Sequence, residues 1–259
     1  MALTRNRPET GAMQVSRSLR TLQECAFDQA VAAVKVSSRF RDWKSFRTHL
    51  VEELPYNSRG SREKFTQLIR AATFPDGNIR TLAETVWQAY GDEKLLQQIV
   101  RVSYLDNVPL IGRFVEHVAS TLPKGAELAR STVQSFLRSE GVTDVQRASK
   151  RLVNCLVKME MCKRNEGVVR IVEEDLPGTA FLVLIHRRFA PRPTTVEIGQ
   201  ILADPFWRYL GGSIPDDARS LLRRAYAEGL IDRYTAVDRL DQITTRFTLD
   251  EFVTKGLRL

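Results

Sequence analysis

The chain has 259 residues, 43% of them hydrophobic and 27% charged, with 39 Lys and Arg against 31 Asp and Glu for a net charge of +8. This is the composition of a globular protein long enough for one large domain or two small ones, either of which can bury a core. The longest strongly apolar run, Ala180 to Ile185, falls far short of the roughly 18 residues that span a bilayer, and no charged start leads into an apolar N-terminal segment, so a cytoplasmic protein with no membrane partner is expected.

In chain order, residues 1–13 lack apolar periodicity and carry Arg5, Arg7, Pro8 and Gly11, which reads as a flexible arm. From Ser16 the positions Leu19, Leu22, Ala26, Ala30, Val31 and Val34 recur at three and four, the spacing of one helix face. A second helix is expected from Asp42, with Trp43, Phe46 and Leu50 inward and Pro55 after it. Ser61 can cap a third, carrying Phe65, Leu68, Ile69 and Ala72. A fourth runs from about Asn78 to Tyr90 and stops at Gly91, Asp92 caps a fifth, and Pro109 starts a sixth. Residues 14–127 are therefore expected to form a helical N-terminal domain.

A short helix through Val133, Phe136 and Leu137 is then broken by Gly141, and Thr143 or Asp144 caps a long helix to about Lys163. Val168 to Glu173 and Ala180 to His186, joined by a turn at Leu176, Pro177 and Gly178, read as a β-hairpin. Helix, turn, helix, hairpin is the order of a winged helix-turn-helix, here over 128–192. A similar order recurs over 193–259: Thr194 and Glu197 have capping-box spacing, Asp204 and Pro205 start another helix, and Asp216 opens a third. Glu228 Gly229 Leu230 Ile231 then echoes Glu166 Gly167 Val168 Val169, and Ile243 to Leu249 supplies a returning strand. The expected fold is mainly α with short β-hairpins, a helical N-terminal domain followed by two winged helix-turn-helix-like units.

Charge follows this organisation. Residues 1–80 hold a net +6, 81–127 a net −2, 128–192 a net +5 and 193–259 a net −1. In the long helix from Asp144, Arg147, Lys150, Arg151, Asn154 and Lys158 share an arc about 100° wide, while Val145, Ala148, Leu152, Cys155, Leu156 and Met159 cluster roughly 120° away. On the second helix of a helix-turn-helix such a face lies in a major groove, with cations on phosphates and guanine edges. The alternative is a solvated basic face. Arg170, Arg187 and Arg188 would extend the patch along the wing, or are ordinary strand-end arginines. A second basic block, Arg59, Arg62 and Lys64 with Asn57, Ser58 and Ser61, leads into a helix start whose N–H groups suit a phosphate, or is a polar loop whose serines cap the helix.

No catalytic constellation is present. His49, His117 and His186 are isolated from metal-binding spacings, and neither GxxxxGK[ST] nor GxGxxG occurs. Cys155 and Cys162 fall on an apolar face, and Cys25 completes an odd count that argues against a disulfide framework. Glu173, Glu174 and Asp175 read as a solvated turn. Phe206, Trp207, Tyr209 and Leu210 concentrate aromatic surface which, if exposed, would contact protein. RNA binding is disfavoured by the lack of an RNP-type aromatic strand or a GxxG loop. A non-enzymatic protein without cofactors is expected.

The ordered series NSRGSREKFTQLIRAA, GDEKLLQQIVRVSYLDNVPLIGRFVEHV and SFLRSEGVTDVQRASKRLVNCLVKMEMCKRNEGVV resembles the BrxA family of bacterial BREX (bacteriophage exclusion) defence islands, over roughly residues 16–190. The chain lacks the glycine-rich Leu-Thr-Gly-Gly type start usual in that family. The resemblance implies a helical, winged-helix-containing accessory factor that binds double-stranded DNA, with BREX proteins (methyltransferase, ATPase, phosphatase-like component) as further partners. The rival reading is an adaptor that assembles defence proteins without touching nucleic acid.

Overall fold

The computed structural model describes residues 22–237 and 240–259. The expected arm and the first turns of the expected helix from Ser16 lie outside the described residues. The chain is mainly helical, with thirteen helices and two small antiparallel sheets among the described residues. It forms two compact units. The first contains residues 127–171 together with the segment ending at Cys25, and the second contains 26–126 and 172–259.

In the first unit, α7 (Arg130–Ser139) and α8 (Val145–Lys158) follow one another, and the hairpin β1 (Cys162–Asn165) with β2 (Val168–Ile171) comes next. Gly141 (φ 73°) takes the left-handed conformation that ends α7 and lets the buried Val142 donate its N–H to Leu137 O at 3.0 Å. Asp144 caps α8 by accepting the Arg147 N–H at 3.1 Å. Val133, Phe136 and Leu137 of α7 and Ala148, Leu152, Cys155 and Leu156 of α8 are buried. Leu128 donates its N–H to Val169 O at 2.8 Å and Glu127 bridges Arg170, adding a short third rung to the hairpin.

The second unit is built from α1 (Phe27–Ser37), α2 (Trp43–Glu53), α3 (Arg59–Thr73), α4 (Leu82–Tyr90), α5 (Glu93–Asn107) and α6 (Pro109–Thr121). These are joined by α9 (Gly178–Arg188), β3 (Thr195–Glu197), α10 (Ile198–Ala203), α11 (Phe206–Tyr209), α12 (Pro215–Ala227), β4 (Ile231–Val237), β5 (Leu240–Thr245) and α13 (Leu249–Thr254). The three strands pair antiparallel in the order β3, β5, β4. The core holds Phe46, Phe74, Leu96, Leu105, Phe114, Phe181, Phe206, Trp207 and Phe252, all essentially without solvent contact.

Several local expectations hold at the level of single hydrogen bonds. Asp42 caps α2 by accepting the Ser45 N–H at 2.8 Å, Asp92 caps α5 by accepting the Leu95 N–H at 3.1 Å, Pro109 occupies the first turn of α6, and Gly91 closes α4 at φ 58°. Others are corrected. Residues 22–26 are irregular and α1 starts only at Phe27, where the Ala26 N–H donates to Tyr104 Oη at 3.2 Å. Ser58, not Ser61, caps α3: its Oγ accepts the Ser61 N–H at 3.1 Å, so Arg59, Arg62 and Lys64 lie inside the helix. The expected Thr194 and Glu197 capping box does not form, because Thr195–Glu197 pairs with β5 and the Thr194 N–H donates to Thr245 Oγ1 at 3.1 Å.

The largest correction concerns the hairpin. Ala180 to His186 is the middle of helix α9, buried on all sides, and Val168–Ile171 pairs backwards with Cys162–Asn165. A uniformly apolar run has neither the period of a strand nor that of a helix, and burial on every face suits both. The turn is Glu166 and Gly167, both at positive φ (48° and 84°), as a two-residue hairpin connection requires. Glu173, Glu174 and Asp175 therefore lie between β2 and α9 and not at a hairpin turn, and Lys124 donates to Glu174 O at 2.9 Å. Glu166 Gly167 and Glu228 Gly229 both lead into a strand with the glycine at positive φ (84° and 72°), but the first pair is a hairpin turn between two strands and the second ends a helix.

Candidate nucleic-acid interface

Helix α8 is sharply two-sided. Ala148, Ser149, Leu152, Cys155 and Leu156 pack inward, and Arg147, Lys150, Asn154 and Lys158 are exposed on the opposite side. The division follows from charge: a buried ammonium or guanidinium without a partner costs several kcal/mol, so a helix with cations at i, i+3 and i+11 and an amide at i+7 turns that row to water.

Arg151 sits at the edge of the row and is held within the unit. Its guanidinium donates to Leu22 O at 2.7 Å and to Glu24 at 3.4 Å, with the side chain 19% exposed. It ties the segment before Cys25 to α8 and has less freedom to meet a ligand than its neighbours. Asn154 is also engaged, as its Oδ1 accepts a hydrogen bond from Arg164 of β1 at 3.0 Å. That bond sets the Arg164 cation beside the α8 row and couples helix to hairpin.

Arg164 and Lys163 are candidate contacts that sequence reasoning missed, because the long helix was expected to run to about Lys163 and no strand was expected after it before Val168. The signal was the segment Asn165 Glu166 Gly167, whose turn character ends the preceding element at Asn165. In the ladder Lys163 faces Arg170, placing two exposed cations side by side on the other face of the hairpin, with Glu127 as the next neighbour of Arg170.

The remaining candidates belong to the second unit. In the first turn of α3, Ser58 and Ser61 hydrogen-bond each other and cap the helix, Arg59 pairs with Glu63 at 3.2 Å, and Lys64 lies over the Phe65 ring at 5.8 Å. Arg62, whose Nε is buried without a hydrogen-bond partner, lines a groove of about 190 Å³ with Arg47, Glu52 and Glu63, so carboxylates dilute the positive charge there. Arg187 and Arg188 end α9 instead of extending a wing. Arg188 grips Asp204 through both oxygens at 2.7 and 2.9 Å and also pairs with Asp106, so its charge is already answered. Arg187 is exposed and lines a cleft of the second unit.

The aromatic cluster from Phe206 to Leu210 is core. Phe206, Trp207, Tyr209 and Leu210 are all less than 5% exposed, and Trp207 donates its Nε1–H to Leu202 O at 3.1 Å. Of the cysteines, Cys155 and Cys162 are buried thiols of the first unit, with burial pushing the Cys162 thiol up to about 12, far from the thiolate that reactivity needs. Among the described residues no helix is long and apolar enough to cross a membrane. No protein-family model, curated protein or solved structure matches the chain.

Proposed function

We propose that this protein binds double-stranded DNA, without strong sequence preference, through α8 and the β1–β2 hairpin of a winged helix-turn-helix. The observation that carries the reading is the exposed row Arg147, Lys150 and Lys158, opposite the buried face of α8 and joined to the hairpin through Arg164. Supporting it is the order of parts: a short bridging segment at Glu127 and Leu128, helix α7, a glycine turn, helix α8 and a two-stranded hairpin. In a winged helix the strand before the helix-turn-helix pairs with the hairpin after it, and the second helix enters the major groove.

The second unit ends in a similar order. Helix α9, strand β3, helices α10, α11 and α12, and strands β4 and β5 follow one another, with β5 between the other two strands. We read it as a second winged helix, one whose α12 opens with Asp216 and Asp217 and so does not present a basic start to phosphates. By its resemblance to the BrxA family, the chain is proposed as an accessory factor of a BREX-type phage defence system, with other BREX proteins as partners. The adaptor reading drew on the cluster from Phe206 to Leu210, which is buried.

Fluorescence anisotropy with a labelled duplex, competed by unlabelled DNA and RNA duplexes of equal length, tests the binding. DNA should compete with little dependence on sequence, and stronger competition by RNA would overturn the assignment. The defence role requires genes for a BREX methyltransferase, a phosphatase-like protein and a large ATPase beside this one, and their absence would remove it.

A further inference from the structure

The second unit contains a cleft of about 510 Å³, within the range of roughly 300–1,000 Å³ that small-molecule sites occupy. The end of α3, the loop that follows it, the start of α4, and the last turns of α5 and α9 enclose it. Three independent features of its wall select an anion. Thr81, Leu82 and Ala83, the cap and first two residues of α4, line it, and the N–H groups of Leu82 and Ala83 have no acceptor within the helix. Thr73 is 2% exposed and lines the same cleft, and its hydroxyl has no hydrogen-bond partner although a helical threonine ordinarily bonds back to the preceding turn. Arg187 reaches the cleft from α9 and makes no hydrogen bond or ion pair with the described residues.

The other cations of the cleft are answered locally. Arg188 is paired with Asp204 and Asp106, and Arg80 donates to Glu84 and to the carbonyls of Ser38 and Phe40. Arg187 is thus the uncompensated cation of the cleft. Pro75, Ile99, Val102 and Leu184 add apolar lining, and Asp76, also in the lining, offers an acceptor for hydroxyl or amino groups. The volume exceeds what inorganic phosphate needs and leaves room for a ring system against the apolar lining.

We infer that this cleft binds an organic phosphate of nucleotide size, its phosphate on the α4 N-terminus, Thr73 and Arg187 and its ring on the apolar lining. The site stands apart from the DNA-binding reading, since its residues belong to the second unit and α8 to the first.

The test is isothermal titration calorimetry of the full chain with the four common nucleoside 5′-monophosphates, their nucleosides and inorganic phosphate. At least one monophosphate should bind saturably, and its nucleoside about ten-fold or more weakly, the loss expected for contacts to a charged group. Arg187→Gln should weaken the monophosphate about ten-fold. Thr73→Val, which removes an orphaned hydroxyl while keeping the shape, should weaken it about three- to ten-fold without lowering the Tm of the unliganded protein. The double variant Arg147→Gln with Lys150→Gln should bind the monophosphate as the wild type does. Saturable binding by none of the four, nucleosides as tight as nucleotides, or wild-type affinity in both cleft variants would each overturn the inference.

Discussion

The α8 row makes a quantitative prediction. Arg147 and Lys150 are the exposed cations of its first two turns, and replacing both with Gln removes charge from a helix that tolerates Gln almost as well as Lys or Arg. With Arg151 held by Leu22 O and Glu24 and Lys163 on the other face of the hairpin, the cations on the α8 side are Arg147, Lys150, Lys158 and Arg164. If each neutralises one phosphate, log K should fall with log salt at a slope of about −3.6, and the double variant should show about −1.8. At 0.15 M salt each phosphate contact contributes about 0.7 of a decade, so the pair is worth roughly 30-fold in affinity, about 2 kcal/mol. Anisotropy of a labelled duplex of about 25 base pairs, titrated at several salt concentrations, measures both quantities, and circular dichroism checks that helix content is unchanged. Arg151 is left intact because its bond to Leu22 O supports the unit itself. An unchanged slope with affinity within two-fold of wild type would remove α8 from the interface.

Arg188→Met should destabilise the second unit by about 2 kcal/mol in urea unfolding, less than the loss of a fully buried pair, because it leaves Asp106 and Asp204 facing each other without their cation. Its affinity for DNA should equal the wild type, and a drop in affinity without a drop in stability would contradict the pairing role. Gly112→Ala gains about 1 kcal/mol of helix propensity, yet its Cβ would lie 2.8 Å from both Leu105 O and Tyr209 Oη, so a net loss of about 1–2 kcal/mol is expected, and a stabilised variant would show that the α5–α6 packing yields. Burial holds the His186 imidazole below its ordinary pKa, against Phe252 and with Nδ1 on Leu182 O. The folded state therefore takes up a proton less readily than the unfolded one, and the stability due to neutral His186 is complete above about pH 6.5 and lost as pH falls toward the depressed folded value. Urea midpoints between pH 7.5 and 5 should show this decline, and His186→Phe should flatten it; an equal slope in the variant would assign the decline to other groups.

Much of the local structure was legible in the sequence. Asp42, Asp92 and Asp144 cap the helices they precede, Gly91 and Gly141 end theirs, and the two faces of α8 follow from spacing alone. These features depend on residues within one or two turns of each other. The exposed cations Arg147, Lys150 and Lys158 were legible for the same reason, and the buried state of Cys155 with them.

What failed depends on distant partners. Arg187 and Arg188 were expected on a wing, but α9 carries them into the second unit, where Asp106 and Asp204 claim one and a cleft receives the other. The sequence by itself determined a mainly helical chain, where most of its helices lie and which face of α8 meets water, because periodicity and capping are local properties. Only the tertiary structure decided that Ala180–His186 is a helix, that Cys162–Asn165 is the strand partner of Val168–Ile171, and that Phe206 to Leu210 are core. A run that is apolar on every face takes its form from whatever segments bury it, and those of Ala180–His186 lie far away along the sequence, whereas a strand too short to show alternation gives no period of its own even when its partner is only a turn away.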